Sequence, residues 1–301
     1  MPNIWDAEIV VSEALAKELI GEQFPRIAPV AARKMGEGFD NTIYEINESL
    51  IFRFPRREIA VELLCIEGKL LPAIGDSLSL PIPIPMFYGK PSMKYPWPFI
   101  GYAKVEGDVP RNLKREDHAK SGSLLGGFLK ELHAFPIEKA IELDTPYDQL
   151  DRVNIRKRKE RLMDHYKRIV DKGLWEEHEV LLQYLNELQP VGPGGKQVLC
   201  HGDLHINNIL VGNDRRVSGI IDWGDVHIGH PAVDLSIAYS YLPKESREAF
   251  FEEYGSVEKE DKLLARFKAV YTSAVLLIYG EDVKDQGLME AAKKSLAYSL
   301  E

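Results

Sequence analysis

The chain has 301 residues, 45% hydrophobic and 28% charged, with a formal net charge of −9. Such a length leaves room for roughly two domains of ~150 residues, and the composition is that of an ordinary soluble protein. The acidic balance argues against general nucleic-acid binding, which needs Lys and Arg set against phosphates. Two cysteines, Cys65 and Cys200, are too few for a disulfide framework and fit a reduced compartment. The opening MPNIWDAEIV has neither the basic nor the apolar stretch of a secretory signal. No run approaches the ~18 apolar residues of a membrane span. A cytoplasmic protein with no membrane partner is expected.

Taken in chain order, residues 13–24 have helical periodicity, and 30–35 run into GEGFDN at 36–41. Two β-rich runs follow, 42–46 and 50–54, with the turn signal Asn47-Glu48-Ser49 between them, so a hairpin is expected. A helix is expected over 58–71, carrying Glu62 and Glu67. The proline-punctuated stretch 80–98 predicts edge strands and turns, because proline cannot donate to a ladder. FIGYAKVEG at 99–107 reads as a strand.

Beyond it the chain predicts helices over 115–133, 147–171 and 175–188, then several after Pro231. The basic run from Arg152 to Arg168 has apolar positions at helical spacing and predicts a solvated helix face. A small β-rich island, 197–223, interrupts the helices. The expected architecture is α+β and bilobal, with a β-rich N-terminal lobe over 1–105 and a helical C-terminal lobe over 106–301 that holds the island.

The island contains HGDLHINNIL at 201–210, two histidines, an aspartate and two asparagines among apolar neighbours. A binuclear metal loop would use His201, Asp203 and His205, but the further ligand sets such a site draws from other strand ends are missing. A zinc site fares no better, since the cysteines are not paired at ligand spacing. A phosphoryl-transfer loop accounts for more of the residues. His201, Asp203 and Asn208 stand at the spacing of a kinase catalytic loop. Asp203 would accept the proton of an attacking hydroxyl, and the Asn208 amide oxygen would meet Mg²⁺. Fourteen residues on, IIDWG places Asp222 at the end of an apolar strand, where a second Mg²⁺ ligand belongs. Alone, Asp203 could be a turn-forming residue and Asp222 a strand cap; jointly, in order and at both spacings, they point to chemistry. His201 reads as a scaffold residue, and His205 receives no role. Asp234 either braces the loop or is an ordinary helix-start acid.

Upstream, Gly36, Gly38 and Asn41 of GEGFDN would offer backbone N–H groups to phosphates of ATP or GTP. Arg53 stands where a strand cation should pair with a helix acid, Glu67 or, one to two turns earlier, Glu62. Arginine where kinases usually place lysine changes the geometry, because the guanidinium forks onto phosphate oxygens. Backbone at Tyr102, Ala103 and Val105 would meet the nucleotide base.

HGDLHINNIL, IIDWGD and GEGFDNTIYEIN with IFRFPRR resemble the aminoglycoside phosphotransferase family, antibiotic kinases with a protein-kinase-like fold. The resemblance runs from residue 36 to about 241. It implies Asp203 as catalytic base, Asn208 and Asp222 as Mg²⁺ ligands, and Arg53 with Glu67 as the phosphate-positioning pair. The GEGFDN loop and FRFP strand look like aminoglycoside 2″-phosphotransferases; RFPRR at 53–57 and the tail 279–297 look like macrolide 2′-phosphotransferases, where His is common at the position of Asn208. The implied function is transfer of the γ-phosphate of ATP or GTP to a hydroxyl of a small molecule, an antibiotic, conferring resistance. Related families act on choline, homoserine, methylthioribose or fructosamine, so a metabolite kinase is the alternative, and a nucleotide-binding pseudokinase a more distant one. The acids Asp225, Glu281 and Asp282 are candidates for holding a cationic substrate.

Overall fold

The computed structural model describes residues 7–38 and 40–301. The hairpin predicted at Asn47 is the seed of the N-terminal sheet. Asn47 and Glu48 adopt φ of 51° and 61°, the left-handed pair that lets a tight turn follow the twist of its strands. The Asn47 amide also ties the turn down, accepting from the Ala31 N–H at 2.8 Å and donating to the Ile27 carbonyl at 3.0 Å. Strands β1 (Ala32–Glu37), β2 (Asn41–Ile46), β3 (Leu50–Pro55), β4 (Pro85–Gly89) and β5 (Phe99–Ala103) form an antiparallel sheet in the order β1-β2-β3-β5-β4. Strand β4, which opens on Pro85 within the proline-punctuated stretch, lies at the edge, as that stretch predicts.

Period-two alternation sorts β3 into two faces. Phe52 and Phe54 point into a core with Tyr44, Phe99, Tyr95 and the Leu19 and Ile20 side chains of α1 (Glu13–Gln23). Arg53 lies between them in sequence and therefore faces the other way, toward α2 (Glu58–Ile74).

Backbone contacts divide the chain into two units, Met1–Asp76 with Ile82–Val105, and Ser77–Pro81 with Glu106–Glu301. The short segment Ser77–Pro81 thus belongs with the second unit. Its Ser79 N–H donates to Glu131 at 2.7 Å, and its Pro81 carbonyl receives the Ile220 N–H at 3.0 Å.

The second unit is helical around a small β-rich insert. Its helices are α3 (Arg115–Ala119), α4 (Gly122–His133), α5 (Ile137–Glu142), α6 (Ile155–Asp171), α7 (His178–Glu187), α8 (Ala232–Leu235), α9 (Ile237–Ser240), α10 (Arg247–Tyr254), α11 (Lys259–Asp282) and α12 (Gln286–Leu300). The insert pairs β6 (Val198–Cys200) with β9 (His227–Gly229), and β7 (Ile209–Val211) with β8 (Val217–Ile220). By length and composition α11 could cross a membrane, but 67% of its apolar window is buried inside the unit, which makes it a core helix.

Three expectations are corrected. The helix predicted over 115–133 is broken at Lys120–Ser121, where the Ser121 hydroxyl accepts the Val217 N–H of β8 at 3.1 Å. The helix predicted from 147 begins only at Ile155. Residues 147–154 form a turn instead, in which the Asp148 carboxylate takes the N–H groups of Leu150 and Arg152, and Asn154 caps α6. The helix predicted from 175 starts at His178.

His118 on α3 is fully buried between the rings of Tyr241 (4.5 Å) and Tyr298 (5.6 Å). Neither ring nitrogen finds a partner among the described residues. Burial, with the nearby Lys294 charge, pushes its imidazole down from 6.5 to about 4. Between those values the unfolded chain binds a proton there and the fold does not, so stability falls as the pH drops through that window. At ~1.4 kcal/mol per pH unit, this residue alone accounts for about 2 kcal/mol lost between about pH 7 and about pH 5. His118→Phe should flatten the pH dependence of urea unfolding by that amount. An unchanged slope would refute the assignment.

Candidate active site

In the first unit, the Arg53 guanidinium meets the Glu67 carboxylate at 2.5 Å, with both side chains buried. The choice between Glu62 and Glu67 is thereby settled, Glu62 being exposed on α2. The turn between β1 and β2 is shorter than GEGFDN implies, since Gly36 lies within β1 and Asn41 opens β2. Phe39 lies outside the described residues. The Gly38 N–H, expected to face phosphate, donates to the Asn41 carbonyl at 3.0 Å. Gly38 in turn receives Arg56 on its own carbonyl at 2.7 Å, and Arg57 pairs with Asp40. Space above the turn is open: a Cβ at Gly36 would meet nothing within 4 Å. The buried Asn41 amide oxygen has no hydrogen-bond partner among the described residues.

Tyr102 and Ala103 lie on β5 opposite Ile51 and Leu50, and Val105 follows the strand. A surface cavity of about 590 Å³ on this unit holds none of these residues. It is lined partly by Glu45, whose carboxyl Lys104 and Arg33 hold below the usual range.

In the second unit, the loop predicted to be catalytic runs between β6 and β7. Gly202 has φ +90°, and a Cβ there would fall 2.1 Å from the Asp225 carbonyl oxygen. Only glycine fits both the conformation and the approach. His201 is a scaffold residue: Nε2 meets the Ile221 carbonyl at 3.0 Å, Nδ1 accepts the Asp203 N–H at 3.3 Å, and the ring packs on Trp223. The fully buried Asp234 takes the N–H groups of His201 (2.7 Å) and Gly202 (2.9 Å). His133 stands 3.3 Å behind it, bonded in turn to the Tyr254 hydroxyl at 2.8 Å. Asp234 is therefore the brace, and the plain helix-start reading is set aside. Burial pushes its carboxyl up, but His133 first, then His201 and the Gly202 N–H, outweigh this and hold it low.

Asp203 stands partly exposed. Its backbone carbonyl accepts the Asn208 amide N–H at 2.9 Å, which turns the Asn208 amide oxygen the other way. Asn208 and Asp222 are brought together by the hairpin: Ile209 pairs with Ile220, and the Ile221 N–H donates to the Asn208 carbonyl at 2.9 Å. Asp222 follows immediately in the left-handed region, φ +63°. One amide oxygen and one carboxylate at the same hairpin base are hard donors of the kind a magnesium ion takes.

Burial pushes the Asp203 carboxyl up, but His205 first, then Lys268 and His201, outweigh it and hold it well below the usual carboxylate range. The carboxylate is ionised at neutral pH. Its pull on His205 outweighs burial and raises that imidazole, while the Asn207 N–H against Nδ1 opposes a second proton.

Two features escaped the sequence reading. His133 and Tyr254, which back the brace, stand on different helices from it and from each other, and no motif links them. Lys268 left a signal, the last cation before the apolar stretch that runs on to Tyr279 in α11. It is half-buried, with its ammonium on the Thr272 hydroxyl at 2.8 Å.

The acids considered for a cationic substrate are all committed. Asp225 pairs with Arg152, Glu281 with Lys172 and Arg168, and Asp282 with Arg168. Among the described residues, one trio is close enough to share a metal, His133, Cys200 and Asp234. Its His and Asp atoms are already engaged in the brace.

The family model described as "Phosphotransferase enzyme family" matches residues 31–268. Among solved structures, the GDP and kanamycin complex of an aminoglycoside 2″-phosphotransferase of type IIIa is 25% identical, with a TM-score of 0.66, covering 94% of this chain and 97% of that one. The GDP complex of wild-type aminoglycoside 2′-phosphotransferase-IIIa is 24% identical, with a TM-score of 0.69 and coverage of 96% and 99%. A macrolide 2′-phosphotransferase from Brachybacterium faecium, as apoenzyme, shares the fold at 19% identity and a TM-score of 0.58, covering 94% and 97%. The chain belongs to the phosphotransferase enzyme family, and is a phosphotransferase with an alcohol group as acceptor.

Proposed function

We propose that the protein transfers the γ-phosphate of ATP or GTP to a hydroxyl of an antibiotic, an aminoglycoside or a macrolide, and so confers resistance in the cytoplasm. The observation that carries this reading is Asp203, Asn208 and Asp222 held on one braced loop and hairpin. The solved structures with bound nucleotide and kanamycin add support.

In this reading Asp203 accepts the hydroxyl proton as the acceptor oxygen bonds to the γ-phosphorus. The bond from that phosphorus to the β–γ bridging oxygen breaks, and its electrons leave with the nucleoside diphosphate. Asn208 and Asp222 would hold Mg²⁺, which when bound neutralises and orients the donor phosphates. Arg53, set by Glu67, positions phosphate oxygens; Gly36 and Asn41 face them from the turn. With the Gly38 N–H engaged, that contact falls to the Gly36 and Asn41 side of the turn. Tyr102, Ala103 and Val105 present backbone to the base.

The ion pairing of Asp225, Glu281 and Asp282 favours a second reading within the same chemistry, an acceptor with little positive charge, a macrolide or a hydroxylated metabolite rather than a polycation.

The test is nucleotide turnover by purified protein with Mg²⁺, ATP and GTP in parallel, against aminoglycosides, macrolides and hydroxylated metabolites. Turnover stimulated by one antibiotic class, with a matching rise in the inhibitory concentration for a sensitive host, is the expected result. Stimulation by a metabolite alone would replace the antibiotic reading. Tight nucleotide binding with no transfer would leave a pseudokinase.

A further inference from the structure

We infer that His205 is a positioning residue that presents a single oxygen of Asp203 to the acceptor hydroxyl; the inference rests on the phosphoryl-transfer reading above. Its ring is fixed by two contacts. Nδ1 accepts the Asn207 N–H at 3.3 Å, and Nε2 stands 3.2 Å from Asp203 Oδ2. A nitrogen that accepts an N–H carries no proton, so the neutral ring holds its proton on Nε2, the nitrogen that lies 3.2 Å from Oδ2.

The Asn208 amide N–H approaches that same Oδ2, at 3.5 Å. The other oxygen, Oδ1, accepts no hydrogen bond from a described residue. A carboxylate rotates readily about its last bond, since that torsion is broad and two-fold. With both contacts falling on Oδ2, they disfavour that rotation and leave Oδ1 as the oxygen without either of them.

The same contacts exclude His205 as the base. Nε2 already carries a proton, and Nδ1 is covered by the Asn207 N–H. The acceptor's proton therefore goes to Oδ1 of Asp203 as the new O–P bond forms and the β–γ bridging oxygen departs, and His205 keeps its own proton throughout. The short turn Ile206–Asn208, which His205 caps through the Asn207 N–H, ends at the Asn208 amide. One imidazole thus sets the carboxylate and the start of the turn together.

The experiment uses the full chain labelled with ¹⁵N-histidine. A long-range ¹H–¹⁵N spectrum, with His205 assigned by its loss in His205→Gln, should show the Nε2–H form with a bare Nδ1. The opposite tautomer overturns the inference whatever the enzyme acts on. Kinetics follow with Mg–ATP or Mg–GTP, with kanamycin, erythromycin and water as acceptors. His205→Ala should lower kcat about ten- to a hundredfold, the usual cost of losing an orienting partner one shell out, with KM for the nucleotide nearly unchanged. His205→Gln, whose amide N–H reaches the Nε2 position, should recover most of the loss. Wild-type kcat in the alanine variant, or no recovery in the glutamine variant, overturns the inference. A wild-type protein that transfers phosphate to no acceptor, water included, sinks the phosphoryl-transfer reading instead, and the spectrum alone then decides the placement of His205.

Discussion

Asp203→Ala should lower turnover by roughly 10²–10⁴-fold, the range of a positioned general base, while nucleotide affinity stays close to that of the parent. The separation follows from the geometry. The Asp203 side chain supports no backbone N–H of the loop; those of His201 and Gly202 are held by Asp234. What the substitution removes is an ionised oxygen on a partly exposed group, together with the partner of His205. Isothermal titration with Mg–nucleotide and steady-state kinetics on the same preparation give the two numbers. Full activity in the variant would end the assignment of Asp203 as base. A large loss of nucleotide affinity would show that the residue holds the metal–nucleotide complex rather than the proton.

The largest stability effect is expected at Arg53. Arg53→Met takes the guanidinium from a Glu67 side chain that is only 1% exposed. Removing one member of a buried ion pair typically costs about 3–5 kcal/mol, because the remaining charge stays desolvated. Replacing both members by apolar side chains of similar volume often costs little or nothing. The double variant Arg53→Met with Glu67→Met should therefore recover most of the stability lost in the single one. Urea unfolding followed by tryptophan fluorescence measures both. The double variant also separates two roles of the pair: a folded protein with weakened nucleotide binding assigns Arg53 to phosphate, whereas unchanged binding confines it to holding α2 on the sheet.

The outline of the first unit was readable because its signals are local. Alternating residues define β2 and β3, an Asn-Glu-Ser turn joins them, and prolines mark the edge strand. The Arg53–Glu67 pair was readable to within one choice of acid, which strand and helix spacing could not make. In the second unit, helix starts were misplaced where polar side chains compete with the helix for backbone groups. Asp148 captures two N–H groups that would otherwise enter a helix, and Ser121 accepts one from β8. Such local capture is invisible to apolar periodicity, which continues through residues 147–154.

That Asp203 and Asn208 share one loop between two strands was legible through spacing alone, because they lie only five residues apart. The Asp234 brace could only be weighed against a plain helix acid, since the bonds that decide it span more than 30 residues. The commitment of Asp225, Glu281 and Asp282 to arginine and lysine partners was likewise out of reach. Those pairs join loop and helices far apart in sequence, and nothing in a run of residues records them.

The segment Ser77–Pro81 bears on how the chain can be taken apart or rebuilt. The chain leaves one unit and enters the other at three points, after Asp76, after Pro81 and after Val105. A fragment beginning at Glu106 would lack the carbonyl that receives the Ile220 N–H, two positions before Asp222. It would also lack the amide that engages Glu131. A second unit made by itself therefore needs the segment Ser77–Pro81 restored to it, and a single cut at Val105 does not do this. Splices, tags and insertions belong in stretches such as 191–195, where the residues are mostly exposed and a side chain added at any of the glycines would meet nothing within 4 Å.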